Sequence, residues 1–340
     1  MAGSGKSQSY RHIINQICSL ATHAKKEQKS HTQLHNTLTV LEAFGNAGTM
    51  YSSNSTRYGM FQEIQFNERG RVIGAKTLTY SLERFRVTNV PTNERNFHIF
   101  YYLLQGSSAQ ERSTYQLHDA AHFRYMTPMA DVAKSRFSRT SYIETDHSDK
   151  STKLEDLKAA LRAVGLKSRL QTQMFQLLAG ILHLGNIEFD EAENAQESAS
   201  IRNPEVLATV ANFLGVNAAT LEGALTYKTK LVGSELCTVF LNLEAAEKQR
   251  DALARVLYSL MFTWLVEYIN KRSCHDSPAN FIGVLDQYGF QANPLNRFEN
   301  FCVNFANEKL HHYVLTDIMA DDSALNDEIV CDGIPLPQVA

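Results

Sequence analysis

The chain is 340 residues long, 44% hydrophobic and 20% charged, a globular composition that excludes wholesale disorder. Its net charge of −3 offers no electrostatic footprint for nucleic acid or an anionic membrane surface. Five cysteines (Cys18, Cys237, Cys274, Cys302, Cys331) lie far apart without a C-x-x-C pair, which excludes a zinc knuckle or disulfide framework and reads as reduced, cytoplasmic thiols. With no run of about 18 apolar residues and no charged-then-apolar leader, no membrane segment is expected.

The first motif is Gly3-Ser4-Gly5-Lys6-Ser7, the end of a G-x-x-x-x-G-K-[ST] phosphate loop whose first glycine would precede residue 1. In such a loop the N–H groups of Gly3, Ser4 and Gly5 surround phosphate oxygens. Lys6 reaches the β/γ-phosphates, and the Ser7 hydroxyl ligands Mg²⁺. The loop needs a buried strand before it and a helix after it. Tyr10, Ile13, Ile14, Ile17, Cys18 and Leu20 predict the helix, over about 8–23. The strand is not encoded.

Lys25 to Thr37 reads as a polar stretch, with Lys25-Lys26-Glu27-Gln28-Lys29 a solvated helix face. Leu38 to Phe44 is a helix end closed by Gly45 and Asn46 as left-handed caps. Ser52 to Gly59 reads as a polar loop. Alternation through Met60, Gln62, Ile64 and Phe66, then Val72, Lys76, Leu78 and Tyr80, predicts a hairpin turning at Asn67–Gly70. Asn96 to Leu104 has the apolar density of a buried helix, and Ala121 to Asp149 reads as surface loop.

Thr152 and Glu155 form a capping box before a helix that Gly165 closes, and Gln171 to Leu184 is a further apolar helix. Glu191 to Ser200 reads as a flexible insertion. Asp251 to Ile269 is the strongest helix, with Leu253, Val256, Leu257, Leu260, Trp264 and Leu265 expected on its core face. Phe281 to Leu285 is too short for a helix and reads as a buried strand ending in Asp286. Asn293-Pro294 then starts a helix through Phe298, Phe301, Cys302, Phe305, Leu310 and Tyr313, and Asp332 to Pro337 is a proline-stiffened tail.

Three elements are expected to converge on one phosphate. They are the loop Gly3–Ser7, the donors Asn54, Ser55, Thr56 and Arg57, and the strand end Asp286 followed by Gly289. Ligands of open α/β sheets sit beyond the carboxyl ends of the strands, where the first and third elements would lie.

Leu41-Glu42-Ala43-Phe44-Gly45-Asn46-Ala47, running into Asn54-Ser55-Thr56-Arg57-Tyr58-Gly59, resembles the switch I region of the myosin head. The resemblance continues through Arg86-Val87, Glu94 to Tyr101, Leu182 to Ile187, Arg250 to Ala254, and the relay-like Cys302-Val303-Asn304 and Asn307-Glu308-Lys309-Leu310. It implies an α/β, P-loop NTPase-type head fragment, mostly helical around a central mixed sheet that lacks the strand before the P-loop. Residues 1–92 would carry P-loop helix, switch I and hairpin, 93–280 an upper 50-kDa-like helical region, 281–334 switch II and relay helix, and 335–340 a truncated tail. The implied ligands are ATP or ADP with Mg²⁺ held by Ser7, Thr56 and Asp286. Actin is implied for the intact parent, with only part of its contact surface encoded here.

Switch II is Asp286-Gln287-Tyr288-Gly289-Phe290-Gln291, where active motors carry D-I-x-G-F-E. The resemblance makes that glutamate the partner of Arg57, closing the pocket and positioning the attacking water together with Asn54, Ser55 and Gly289. With Gln291 in its place Arg57 is expected to lose its counter-charge, at about 3–5 kcal/mol in a dry site, slowing hydrolysis by two or more orders of magnitude. Ser52, Met60 and Phe85 depart from the family pattern as well. These choices resemble the myosin-like domains of fungal chitin synthases, which implies a weak or inactive ATPase with a cytoskeletal targeting or tethering role at the membrane. A fragment of an active actin-based motor and a non-binding structural remnant are the alternatives.

Overall fold

The computed structural model describes residues 3–21, 25–126, 150–191, 197–292, 296–318 and 331. The chain folds as two compact units, a larger one over Ala2–Gln287 and a smaller one that begins at Tyr288.

In the larger unit, helix α1 (Lys6–Ala21) buries Tyr10, Ile14, Cys18 and Ala21. Helix α2 spans Lys25–Gly45 without a break, so the polar stretch and the expected helix end after it are one helix. Lysine, glutamate and glutamine are good helix formers, and Leu34, Thr37, Leu41 and Phe44 give the helix a buried stripe at 3-4-3 spacing. Gly45 lies outside the left-handed region. The ring of Tyr58 requires it instead, because a Cβ there would lie within 2.2 Å of Tyr58 Cε1.

Strands β1 (Asn46–Thr49) and β2 (Ser52–Thr56) pair antiparallel. The polar run expected as a loop is therefore half of a hairpin, its backbone groups satisfied by β1 despite the lack of apolar side chains. The expected second hairpin is present as β3 (Gly59–Phe66) and β4 (Val72–Tyr80), with Gly70 at φ +68 in the turn. A short 3-10 helix follows at Arg84–Val87.

Helices α3 (His98–Gly106), α4 (Ala109–Thr114), α5 (Lys150–Ala163) and α6 (Ser168–Gly185) come next. The capping box expected at Thr152 and Glu155 falls inside α5, which starts at Lys150. The small strands β5 (Phe189–Asp190) and β6 (Ser200–Ile201), helices α7 (Pro204–Leu214) and α8 (Ala218–Thr226), and the hairpin of β7 (Tyr227–Val232) with β8 (Glu235–Phe240) complete the middle of the chain. Residues 127–149 and 192–196, most of the expected loop and half of the expected insertion, lie outside the described residues, as do the Asn293-Pro294 cap and the 332–337 tail.

Helix α9 (Leu243–Ser273) is the spine of the core, its inner face overlapping the expected one only in part. Arg250, Ala254, Tyr258, Met261, Phe262, Leu265 and Ile269 point inward, while Val256, Leu260 and Trp264 are exposed. Of the expected stripe, Leu265 is buried and Leu253 and Leu257 pack against the core, so periodicity found half of the inner face. It is long and apolar enough to cross a membrane by length and composition, yet its inner face is spent on protein. Tyr258 stacks on Phe97 at 4.9 Å and donates to the Phe44 carbonyl at 2.6 Å. Asn270 both accepts from Thr77 N–H (2.8 Å) and donates to its carbonyl (2.7 Å), fastening α9 to β4.

Strand β9 (Asn280–Asp286) lies antiparallel to β3, giving the order β4-β3-β9. Every strand pairing among the described residues is antiparallel, where a mixed sheet was expected. Nor is β9 a buried strand: among the described residues it is an edge, and Phe281, Ile282 and Leu285 are 56%, 45% and 40% exposed. Only its final residue, Asp286, is buried.

In the smaller unit the loop from Tyr288 to Gln291 is clamped onto helix α10 (Phe298–Tyr313). Asn304 accepts from Gln291 N–H at 2.7 Å and donates to its carbonyl at 2.9 Å, while Asn307 donates to the Tyr288 carbonyl at 3.1 Å. Phe298, Phe301 and Phe305 stack along the exposed face of α10.

Candidate nucleotide site

Gly3, Ser4 and Gly5 form an exposed turn that feeds directly into α1, with Ser9 N–H donating to the Gly5 carbonyl at 2.8 Å. Gly3 sits at φ +79, and a Cβ there would meet the Tyr51 carbonyl at 2.7 Å, so the turn lies against the β1–β2 connection. Lys6 and Ser7 are the first two residues of the helix, where the positive end of the helix dipole favours an anion. The Lys6 ammonium donates to Ser4 Oγ at 3.1 Å. Burial pulls its pKa down while the Asp286 charge pushes it back up.

The Ser7 hydroxyl lies 3.0 Å from Thr56 Oγ1, which the β1–β2 hairpin presents from its last residue. Ser7 also hydrogen-bonds the Asp286 carboxylate, at the end of β9. Burial pushes the Asp286 pKa up, against the Ser7 hydrogen bond and the Lys6 and Arg11 charges that lower it. A loop serine, a hairpin threonine and a strand-end aspartate thus meet from three separate elements. Two hydroxyls and a carboxylate whose charge is under-compensated suit a hard, oxygen-seeking cation such as Mg²⁺.

The other expected donors turn toward protein. Asn54 accepts from Asn46 Nδ2 at 2.9 Å, donates to Glu42, and contacts His98 Nε2 at 3.1 Å. Burial, with the charges of Arg95, Lys153 and Arg86 adding to it, pushes the His98 pKa down to about 4. Ser55 is buried and accepts from Arg57 Nη1 at 3.3 Å.

Arg57, 3% exposed, donates from Nε to Glu83 Oε2 at 2.7 Å. This corrects the expectation of an uncompensated arginine: its counter-charge is supplied within the larger unit. Arg86 donates from Nε to the same Glu83 oxygen at 2.7 Å and pairs with Glu94 at 2.7 Å. Burial alone would raise the Glu83 pKa, but Arg86 and Arg57 together hold it down at about 2. Pattern reading passed over Glu83, Glu94 and Glu42. The available signal was a carboxylate next to paired arginines in Glu83-Arg84-Phe85-Arg86.

Gly289 and Gln291 belong to the smaller unit, where the Gln291 side chain donates to the Gly289 carbonyl at 2.8 Å. The departures from family pattern have local accommodation. Met60 is buried opposite Asp286 and Thr79, and Phe85 lies under the Arg255 guanidinium at 4.3 Å.

A glycine turn opening a helix at Lys6-Ser7, beside a strand-end aspartate, places the chain among P-loop NTPase-type α/β proteins. The myosin head (motor domain) family model matches residues 1–334, and the chain belongs to that family. It is similar to "Chitin synthase 8" of Mycosarcoma maydis, 42% identical over 98% of this chain and 16% of that protein. It is likewise similar to "Chitin synthase 5" of Cryptococcus neoformans, 43% identical over 92% of this chain and 16% of that protein. "Myosin IB heavy chain" of Dictyostelium discoideum is 34% identical over 98% of the chain and 29% of its own length. The chain therefore spans a small part of each relative, and a myosin-motor-like domain of this kind is found both in chitin synthases and in myosins.

Proposed function

We propose that the chain is the ATP-binding, myosin-motor-like domain of a chitin synthase, holding MgATP or MgADP and hydrolysing ATP slowly or not at all. The observation that carries this reading is the meeting of Ser7, Thr56 and Asp286 at the N-terminus of α1. The Gly3–Ser7 turn and Lys6 would take the phosphates, and Ser7, Thr56 and Asp286 would hold Mg²⁺. When bound, the ion neutralises phosphate charge, and this chain's residues bind and orient the nucleotide around it.

The slow turnover rests on Gln291, a neutral amide where the family's active members carry a glutamate. Such a domain serves its parent as a nucleotide-dependent tether to the cytoskeleton at the membrane, with actin as the filament partner of the whole protein.

The test is thermal unfolding with MgADP against EDTA. Ligand at one hundred times its Kd adds about 2.7 kcal/mol, and Lys6→Ala abolishes the shift. A chain that melts identically with and without MgADP refutes nucleotide binding. Phosphate release then reads turnover: motor-like rates in the unmodified chain refute the slow-ATPase reading. For the tether, the full-length parent should cosediment with actin filaments and lose its cortical position when filaments are depolymerised.

A further inference from the structure

We propose that Glu83 fixes Arg57 and with it the hairpin end at Thr56 beside the phosphate site, supplying from the same unit the counter-charge that the family pattern assigns to residue 291. The inference deepens the nucleotide reading above and rests on it for the catalytic part of its test.

The chain is tied at this point twice over. Glu83 N–H donates to the Arg57 carbonyl at 2.9 Å, and the Glu83 carboxylate accepts from Arg57 Nε at 2.7 Å. Arg57 N–H in turn donates to the Gly45 carbonyl at 2.9 Å, so the arginine backbone is held from both sides. Ser81 adopts φ +53, an uncommon backbone state for a non-glycine residue, and this bend brings the chain leaving β4 back so that Glu83 faces Arg57.

The charges balance locally. Arg57 and Arg86 face Glu83 and Glu94, two cations against two anions, with Arg86 Nη1 also donating to the Arg95 carbonyl at 2.9 Å. Both guanidiniums are almost fully buried, where an arginine leaves its anion only at a large desolvation cost. Arg57 follows Thr56 directly, so whatever fixes the arginine also fixes the threonine that touches Ser7. Glu83 thereby acts on the phosphate site through Arg57 and the hairpin end, without touching the nucleotide. A neutral residue at 291 is then compatible with an ordered switch I arginine.

The experiment uses the unmodified chain and Glu83→Gln, Arg57→Met and the double variant, melted without nucleotide. Coupling is expected: Glu83→Gln lowers Tm by several degrees in the Arg57 background and by less than half as much in the Arg57→Met background. Additive losses overturn the pairing. If either variant fails to fold, the same cycle is run with Arg57→Lys and Glu83→Asp.

Single-turnover hydrolysis of MgATP, followed over hours, reads the positioning role. Glu83→Gln should slow it tenfold or more while keeping the MgADP melting shift, and Glu83→Asp should recover most of the loss. An unchanged rate in folded Glu83→Gln overturns the role, as does an unmodified chain that binds MgADP and never turns over. Absence of any MgADP shift in the unmodified chain instead strikes the nucleotide reading, and the positioning role falls with it, whatever the melting cycle returns.

Discussion

Two polar clusters adjoin one another along the switch I hairpin, and they differ in whether their charges are met. Around Glu83, two guanidiniums meet two carboxylates at 2.7 Å, and the carboxylate titrates far below its ordinary range. Around Asp286, burial raises the carboxylate's pKa against a serine hydroxyl and the charges of Lys6 and Arg11. Adjacent residues, Arg57 and Thr56, belong to the two. The satisfied cluster holds the hairpin in shape. The other leaves a buried carboxylate with its pKa raised. Charged partners therefore set the direction in which each carboxylate's pKa moves.

The largest expected effect comes from breaking the satisfied cluster. Arg86→Met strands Glu83 and Glu94 beside a single remaining arginine and should cost about 3–5 kcal/mol in urea unfolding. A loss under 1 kcal/mol would mean that water already screens the pair. Acid should find the same cluster. Because the folded pKa of Glu83 lies below its ordinary 4.5, its contribution is complete above pH 4.5 and is lost as pH falls toward about 2. Unfolding followed between pH 6 and 2 should lose part of this acid dependence in Glu83→Gln.

The unsatisfied cluster should respond with the opposite sign. Asp286→Asn removes an under-compensated buried charge, so the nucleotide-free chain melts higher while the Mg²⁺-dependent part of the MgADP shift disappears. A variant that melts lower without nucleotide would erase the contrast between the clusters. In the smaller unit, Asn304→Ala deletes both hydrogen bonds to the Gln291 backbone and should cost about 1–3 kcal/mol. Hydrogen exchange at Gln291 N–H should rise with it. The smallest effect is expected from Phe85→Ser, which restores the family residue but removes the ring under Arg255, at about 0.5–2 kcal/mol.

Much of this was legible in the residues, and the failures are instructive. The β3–β4 hairpin and α1 follow from periodicity, and the Ser7–Thr56–Asp286 meeting follows from motif order. Strand β2 was not legible, because Ser52-Ser53-Asn54-Ser55-Thr56 has no apolar alternation and is a strand only through its pairing with β1. Half of the inner face of α9 was hidden because Arg250 and two alanines, Ala246 and Ala254, belong to it while a tryptophan lies outside. Glu83 was hidden for a different reason. Its importance depends on Arg57, a residue 26 positions earlier, and on a bend at Ser81 that no periodic pattern records.

Strand β9 has a practical meaning as well. Its outer edge presents backbone donors and acceptors along Phe281-Ile282-Gly283-Val284-Leu285, a run with no charge, no proline and largely exposed side chains. Edges of that character recruit other strands. Among the described residues this open edge ends at the buried Asp286, so the strand most exposed to a further pairing also carries the chain's buried strand-end carboxylate.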